Sequence, residues 1–185
     1  MTAKTIRFFL LALMIFAAAA SFADQIEASA TPASSAKPVL EDFFPEGLLD
    51  ADKQYVDPAV LENKVFALYF SASWCRGCAA FSPTLVKMRN ANSDRFEVVL
   101  VGFDNSADDM YNYMKRYAML WPAVDWESPV RLALKERFDV SLIPALIVVA
   151  PDGRIITTDG YKQIQNVGEE VLQTWLQSVQ NPAGD

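Results

Sequence analysis

The segment Trp74-Cys75-Arg76-Gly77-Cys78 follows closely on the apolar run Val65 to Phe70, and its two cysteines are the only ones in the 185-residue chain. An unbroken apolar run of that length predicts a buried strand. A short connection, Ser71-Ala72-Ser73, with a helical pattern beyond it, puts Cys75 at a helix N-terminus. Two thiols three positions apart on the first turn of a helix share one face, near enough to close a disulfide after modest rotation. Free backbone N–H groups and the positive end of the helix dipole there favour a thiolate. An unperturbed thiol with a pKa of about 8.5 is roughly 3% ionised at pH 7, whereas thiols in such motifs titrate between about 3.5 and 7.5. Cys75 is therefore expected as the nucleophile, and Cys78 as the resolving thiol that attacks the mixed disulfide and releases the product.

Other uses of the pair fit less well. A structural staple across so short a loop stabilises by only about 2 kcal/mol on the loop-entropy relation, against about 3 for a fifteen-residue loop. Zinc needs four ligands, and the chain has no histidine to complete a half-set of two cysteines. Haem attachment wants a histidine directly after the second cysteine, where Ala79 stands. No metal and no organic cofactor is expected. The remaining alternative is a binding module whose disulfide is inert.

The compartment is suggested by residues 1–23. Lys4 and Arg7 precede the thirteen-residue apolar stretch Phe8 to Ala20, which ends in Ser21-Phe22-Ala23. A charged start, an apolar middle and small residues at the end describe a signal peptide cleaved after Ala23. The stretch is shorter than the ~20 residues that span a bilayer, and no cysteine follows Ala23 to carry a lipid. The expectation is an exported protein, periplasmic or secreted, without stable membrane insertion after cleavage, in an oxidising space where a thiol-disulfide enzyme needs a partner to reset it. Residues 24–38, rich in Ala, Ser and Pro, read as a flexible linker, and residues 39–185 as one domain. A formal net charge of -7 argues against nucleic acid or anionic lipid as a partner. A monomer is expected.

Within the domain, apolar runs alternate with amphipathic segments, which predicts an α/β fold with a sheet covered by helices. The spacing predicts an early hairpin over Leu48 to Val56 and strands at Val65 to Phe70 and Phe96 to Phe103. A hairpin of Leu146 to Ala150 with Ile155 to Thr158 turns on Pro151-Asp152-Gly153. Helices are predicted from Cys75 to Asn90, Ala107 to Ala118, Pro129 to Phe138 and Val167 to Val179, the first kinked at Pro83. The aromatic residues Tyr111, Tyr113, Tyr117 and Trp121 read as a helix packed onto a sheet.

Several of these segments taken together carry a family likeness. They are Tyr69-Phe70-Ser71-Ala72-Ser73-Trp74-Cys75 with Cys78, the helix proline Pro83, and Ser141-Leu142-Ile143-Pro144 ahead of the last hairpin. Phe103-Asp104, followed by an acidic helix and Trp121-Pro122-Ala123, adds to them. The chain resembles the thioredoxin superfamily, and most closely its tryparedoxin and nucleoredoxin branch. The resemblance implies a thioredoxin-like fold, a central mixed β-sheet flanked by α-helices, here with an N-terminal hairpin extension. It implies a Cys75–Cys78 disulfide that exchanges with protein thiols and disulfides, and a cis peptide before Pro144 facing the cysteines. Ile143 and Pro144 would present a strand edge to an extended substrate, Trp74 an apolar wall beside Cys75. The dipeptide Arg76-Gly77 departs from the Gly-Pro of thioredoxins and the Pro-Pro of tryparedoxins. Together with the cation at Arg76, it is expected to lower the Cys75 pKa and make the couple less reducing. Tyr69 stands where thioredoxin carries a buried Asp, so the proton relay is unassigned; Asp104 is one candidate, and reads more simply as a strand-end carboxylate in solvent, with water making the transfer. The direction of electron flow is not set by these residues.

Overall fold

The structure, a computed structural model, describes residues 36–180. The leader expected over 1–23 lies outside the described residues, as does most of the linker expected over 24–38. That linker ends sooner than the composition suggests: helix α1, Ala36–Phe43, begins before Val39. Leu40, Phe43 and Phe44 are buried. Phe43 meets Phe66 edge-on at 5.6 Å and stacks with Phe138 at 6.3 Å between ring centroids. Each such side chain taken out of water contributes about 1.5–3 kcal/mol, enough to order a helix whose own composition is poor.

Strand β1, Leu48–Leu49, pairs antiparallel with β2, Tyr55–Val56, which is the expected early hairpin. A single 3-10 turn, Pro58–Leu61, follows. The main sheet consists of β3 (Val65–Ser71), β4 (Phe96–Gly102), β5 (Ala145–Val149) and β6 (Ile155–Thr157) in the order β4-β3-β5-β6. β3 runs parallel to β4, with Leu68 opposite Val99, and antiparallel to β5, with Leu68 opposite Ile147. The sheet is therefore mixed, and β3, buried along its whole length, is central. Alternation places Ala67 and Tyr69 in one core cluster and Phe66, Leu68 and Phe70 in the other, so both faces are apolar and both are covered. Ala123 extends the layer by bridging Leu49 on one side and Leu100 on the other.

Helices α2 (Arg76–Asn90), α3 (Ala107–Arg116) and α4 (Val130–Arg137) follow their strands near the expected bounds, and α2 continues through Pro83. On α3, Ser106 Oγ caps the N-terminus by accepting from Asp109 N at 3.1 Å. Tyr111, Tyr113 and Trp121 are buried against the sheet, as the aromatic spacing suggests. The C-terminal region differs from expectation. In place of one helix over Val167 to Val179 there are two, α5 (Gly160–Val167) and α6 (Val171–Gln180), joined by a 3-10 turn. Gly168, with φ +75, reverses the chain between them. α5 starts at a glycine because a Cβ there would stand 2.8 Å from the Leu146 carbonyl oxygen of β5.

Candidate functional site

At the end of β3 the backbone turns through Ala72, Ser73 and Trp74, with Cys75 N donating to Ala72 O at 3.1 Å. Cys75 is the N-cap of α2, in extended conformation, and its Sγ accepts the Cys78 N–H at 3.1 Å. A sulfur thus occupies the place where Ser or Asp normally satisfies an orphan donor of the first turn. Cys75 and Cys78 are joined as a disulfide with Cα atoms 5.2 Å apart, well inside the range such bonds require. The pair is unequally covered: Cys75 is 8% exposed and Cys78 not at all.

The Ile143–Pro144 peptide is cis and stands across the site. Cys75 Sγ lies 3.8 Å from the Ile143 carbonyl oxygen. A Cβ built on Gly77 would come 3.3 Å from Pro144 Cδ, so the first turn of α2 and the proline ring lie in close contact. Cys75, Gly77, Ile143 and Pro144 are therefore brought together as the sequence suggests. Arg76 is exposed and makes no hydrogen bond or ion pair among the described residues, so it acts on the site only through space. Trp74 is 57% exposed, its ring fixed at one end by Nε1 donating to Phe103 O at 3.0 Å.

Asp104 corrects the sequence reading. It is 5% exposed rather than in solvent, and its Oδ1 accepts from Ser73 N at 2.8 Å. Phe103 N donates to Ser71 O at 2.8 Å. Three bonds, from the backbone of Ser73, the indole of Trp74 and the amide of Phe103, thus pin the cysteine loop to the end of β4. Asp104 Oδ2 has no hydrogen-bond partner among the described residues. Close by, Arg131 donates to Gly102 O at 3.2 Å and Trp126 O at 3.1 Å, and Trp126 Nε1 donates to Asp104 O at 3.0 Å. Burial lowers the Arg131 pKa and the Asp104 charge opposes that shift. Neither Trp126 nor Arg131 carries a local sequence signal, since their contacts are made across the fold.

Beneath Cys78 lies a buried chain of hydroxyls. Ser82 Oγ donates to Cys78 O at 2.9 Å, and Tyr69 Oη reaches the same carbonyl at 3.2 Å. Ser82 pairs with Tyr113 Oη at 2.6 Å, and Tyr113 with Ser71 Oγ at 3.0 Å. Burial raises the Tyr69 phenol far above its ordinary value, with Tyr113 adding to the shift, so Tyr69 stays neutral. No cluster of three or more potential metal ligands occurs among the described residues. A cleft of about 430 Å³ beside α1 and β2 contains neither cysteine.

A family model described as Thioredoxin-like matches residues 63–155, which contain both cysteines and Ile143–Pro144. The probable nucleoredoxin 2 of Oryza sativa subsp. japonica is 34% identical over 60% of this chain and 29% of its own length. The nucleoredoxin-like protein 1 of Homo sapiens is 30% identical over 65% of this chain and 60% of its own. The chain thus spans less than two thirds of either relative. Among solved structures, tryparedoxin II from C. fasciculata is similar with a TM-score of 0.65 and 35% identity, over 71% of this chain and 90% of that one. The likeness in sequence and in fold meets at the same segment, and the chain belongs to the thioredoxin-like family, in its tryparedoxin and nucleoredoxin-like branch, with its Cys-X-X-Cys pair at Cys75 and Cys78.

Proposed function

We propose that the protein is a thiol-disulfide oxidoreductase acting on partner proteins, with Cys75 as nucleophile and Cys78 as resolving thiol. The observation that carries this reading is the unequal pair: an outer sulfur at a helix N-terminus, facing the Ile143–Pro144 edge, and an inner one that is fully buried. In the reducing direction, the Cys75 thiolate attacks one sulfur of a partner disulfide. A Cys75–partner bond forms, the partner S–S bond breaks, and its other sulfur leaves as a thiolate. Cys78 gives up its proton and attacks Cys75 Sγ. The internal disulfide forms, the partner's remaining sulfur leaves and is protonated, and two electrons have passed to the partner. A dithiol donor resets the site by the reverse sequence, and run backwards the same steps oxidise a partner dithiol. The relative potentials set the direction.

The backbone at Ile143 and the exposed face of Trp74 serve as the surface on which a partner segment lies, and Arg76 and Gly77 line its path over the first turn. The finer reading places this exchange outside the cytoplasm, in a periplasm or secreted. Its support is the cationic start and apolar stretch of residues 1–23. Dithiothreitol-driven reduction of insulin tests the activity: the full chain should accelerate it, and Cys75→Ser should remove the acceleration. No acceleration by the wild type would leave a binding module with an inert disulfide. The N-terminal sequence of the protein recovered from its host tests the export reading, which predicts a start at Asp24.

A further inference from the structure

On one side of the disulfide, the site opens into a cleft of about 300 Å³ lined by Trp74, Phe103, Lys135, Val140, Ser141 and Ile143. Phe103 and Ile143 pack against the cysteines and Trp74 precedes Cys75 in the chain, so the cleft adjoins the reacting sulfur. The walls are apolar apart from Ser141, and Lys135 is the one ionisable lining residue. Its Nζ sits 5.9 Å from the Phe103 ring centroid and holds no carboxylate among the described residues. Lys53, Lys87, Lys115 and Lys162 each hold a carboxylate within 2.8–3.0 Å. The cleft on the other side of Pro144, about 370 Å³, contains both Asp159 and Lys162, already paired with each other. In a chain of net charge -7, Lys135 makes no ion pair among the described residues, although Glu136 and Asp139 share an adjoining cleft with it, and Arg76 adds a second cation at the helix start.

A groove that is apolar along its length and cationic at its rim matches one kind of occupant. Resting on the exchange reading above, we propose that this cleft selects partner segments by the residues next to the attacked cysteine. It takes an apolar side chain between Trp74 and Ile143 and a carboxylate on Lys135. In an extended segment successive side chains point to opposite sides and alternate ones to the same side, so both contacts fall within two residues of the cysteine. The ammonium at the cleft rim discriminates by attraction and by repulsion, raising the encounter rate with an acidic segment and disfavouring a basic one.

Symmetric disulfide dimers of a single-cysteine peptide test this, because both sulfurs then have the same neighbours. Three peptides carry Leu on one side of the cysteine and Glu, Gln or Lys on the other. Their reduction is compared as kcat/KM for the wild type, each value divided by the rate constant for free dithiothreitol on the same dimer to remove intrinsic reactivity. The Glu dimer should be preferred to the Lys dimer by about fivefold, the scale of an exposed ion pair, and the preference should shrink in 0.5 M salt. Lys135→Glu should reverse the order, whereas Lys87→Glu, a charge change away from the cleft, should keep it. Equal reduction of all three dimers, or an unchanged order in Lys135→Glu, overturns the proposal while leaving the exchange reading intact. Failure of the wild type to turn over any dimer faster than Cys75→Ser overturns both.

Discussion

Replacing Asp104 tests how the redox loop is held. Its Oδ1 accepts the Ser73 N–H at 2.8 Å, while Oδ2 is buried without a partner. Asp104→Ala removes a hydrogen bond to a charged acceptor, worth about 1.5–3 kcal/mol, and leaves the Ser73 donor seeking water. Against this, it relieves the cost of desolvating a carboxylate oxygen that nothing compensates, about 1–3 kcal/mol by the same reasoning. The Arg131 guanidinium decides the balance, because it is partly desolvated and Asp104 is the anion that offsets this. It is no direct ion pair, so the loss is well short of the ~3–5 kcal/mol of a broken buried pair. The net expectation is destabilisation by about 2 kcal/mol for Ala. Asp104→Asn also gives up the charge that offsets Arg131 but keeps an acceptor for Ser73, so it should cost less than Ala, about 1 kcal/mol. Urea unfolding of the oxidised proteins at pH 7 gives both values, and the Ser73 amide resonance reports the loop directly. An Ala variant within about 0.5 kcal/mol of wild type, or an Asn variant as costly as Ala, would refute the reasoning.

Gly77→Val presses branched carbons against Pro144, since even a Cβ there comes 3.3 Å from its ring. It should destabilise by about 1–3 kcal/mol and lower kcat/KM in insulin reduction about tenfold or more; an active, fully stable variant would mean the proline loop yields freely. Trp74→Ala removes the half-exposed wall and its bond to Phe103 O. Protein-disulfide turnover should fall about tenfold, mostly through KM, and a loss confined to kcat would place the indole in the chemical step instead. Tyr113→Phe leaves Ser71 Oγ without its partner, at about 1–2 kcal/mol by urea unfolding. Stopped-flow resolution of a Cys75 mixed disulfide should stay within about twofold of wild type.

The centre of the fold was legible because its signals are local. Val65 to Ser71 is an apolar run, Cys75 sits where a helix must start, and Pro151-Asp152-Gly153 closes a hairpin with Gly153 N bonded to Ala150 O. The two cysteines and Ile143–Pro144 were paired through family resemblance, since nothing local relates residues so far apart in sequence. α1 was not legible: Leu40 and Phe43 look like scattered apolar residues until Phe66 and Phe138 are brought against them. α5 was missed, and the expected helix over Val167 to Val179 ran through Gly168 without registering the role of that glycine or of Gly160. Gly160 is required by close packing on β5 and Gly168 by the reversal before α6. Asp104 looked like any carboxylate at the end of a strand, and only the return of the Ser73 amide explains its burial.

The hydroxyls beneath Cys78 bear on a question raised by Tyr69 itself. A proton relay needs a group that can take a proton at one end and release it at the other. Ser82 has one proton; with it on the Cys78 carbonyl, Tyr113 donates to Ser82 and Ser71 to Tyr113, and Tyr69 is left to donate to Ser82 or to the same carbonyl. This chain of hydroxyls ends on a main-chain oxygen, with no hydroxyl among these bonds meeting Cys78 Sγ. Tyr69 cannot supply a base, since burial and its neighbour Tyr113 raise its pKa. The network therefore acts as a scaffold that holds the first turn of α2 from below. These bonds give Cys78 Sγ no route for its proton from below. On the proposed exchange, forming the internal disulfide and releasing the partner are one displacement at Cys75 Sγ, which lies 3.8 Å from the Ile143 carbonyl oxygen.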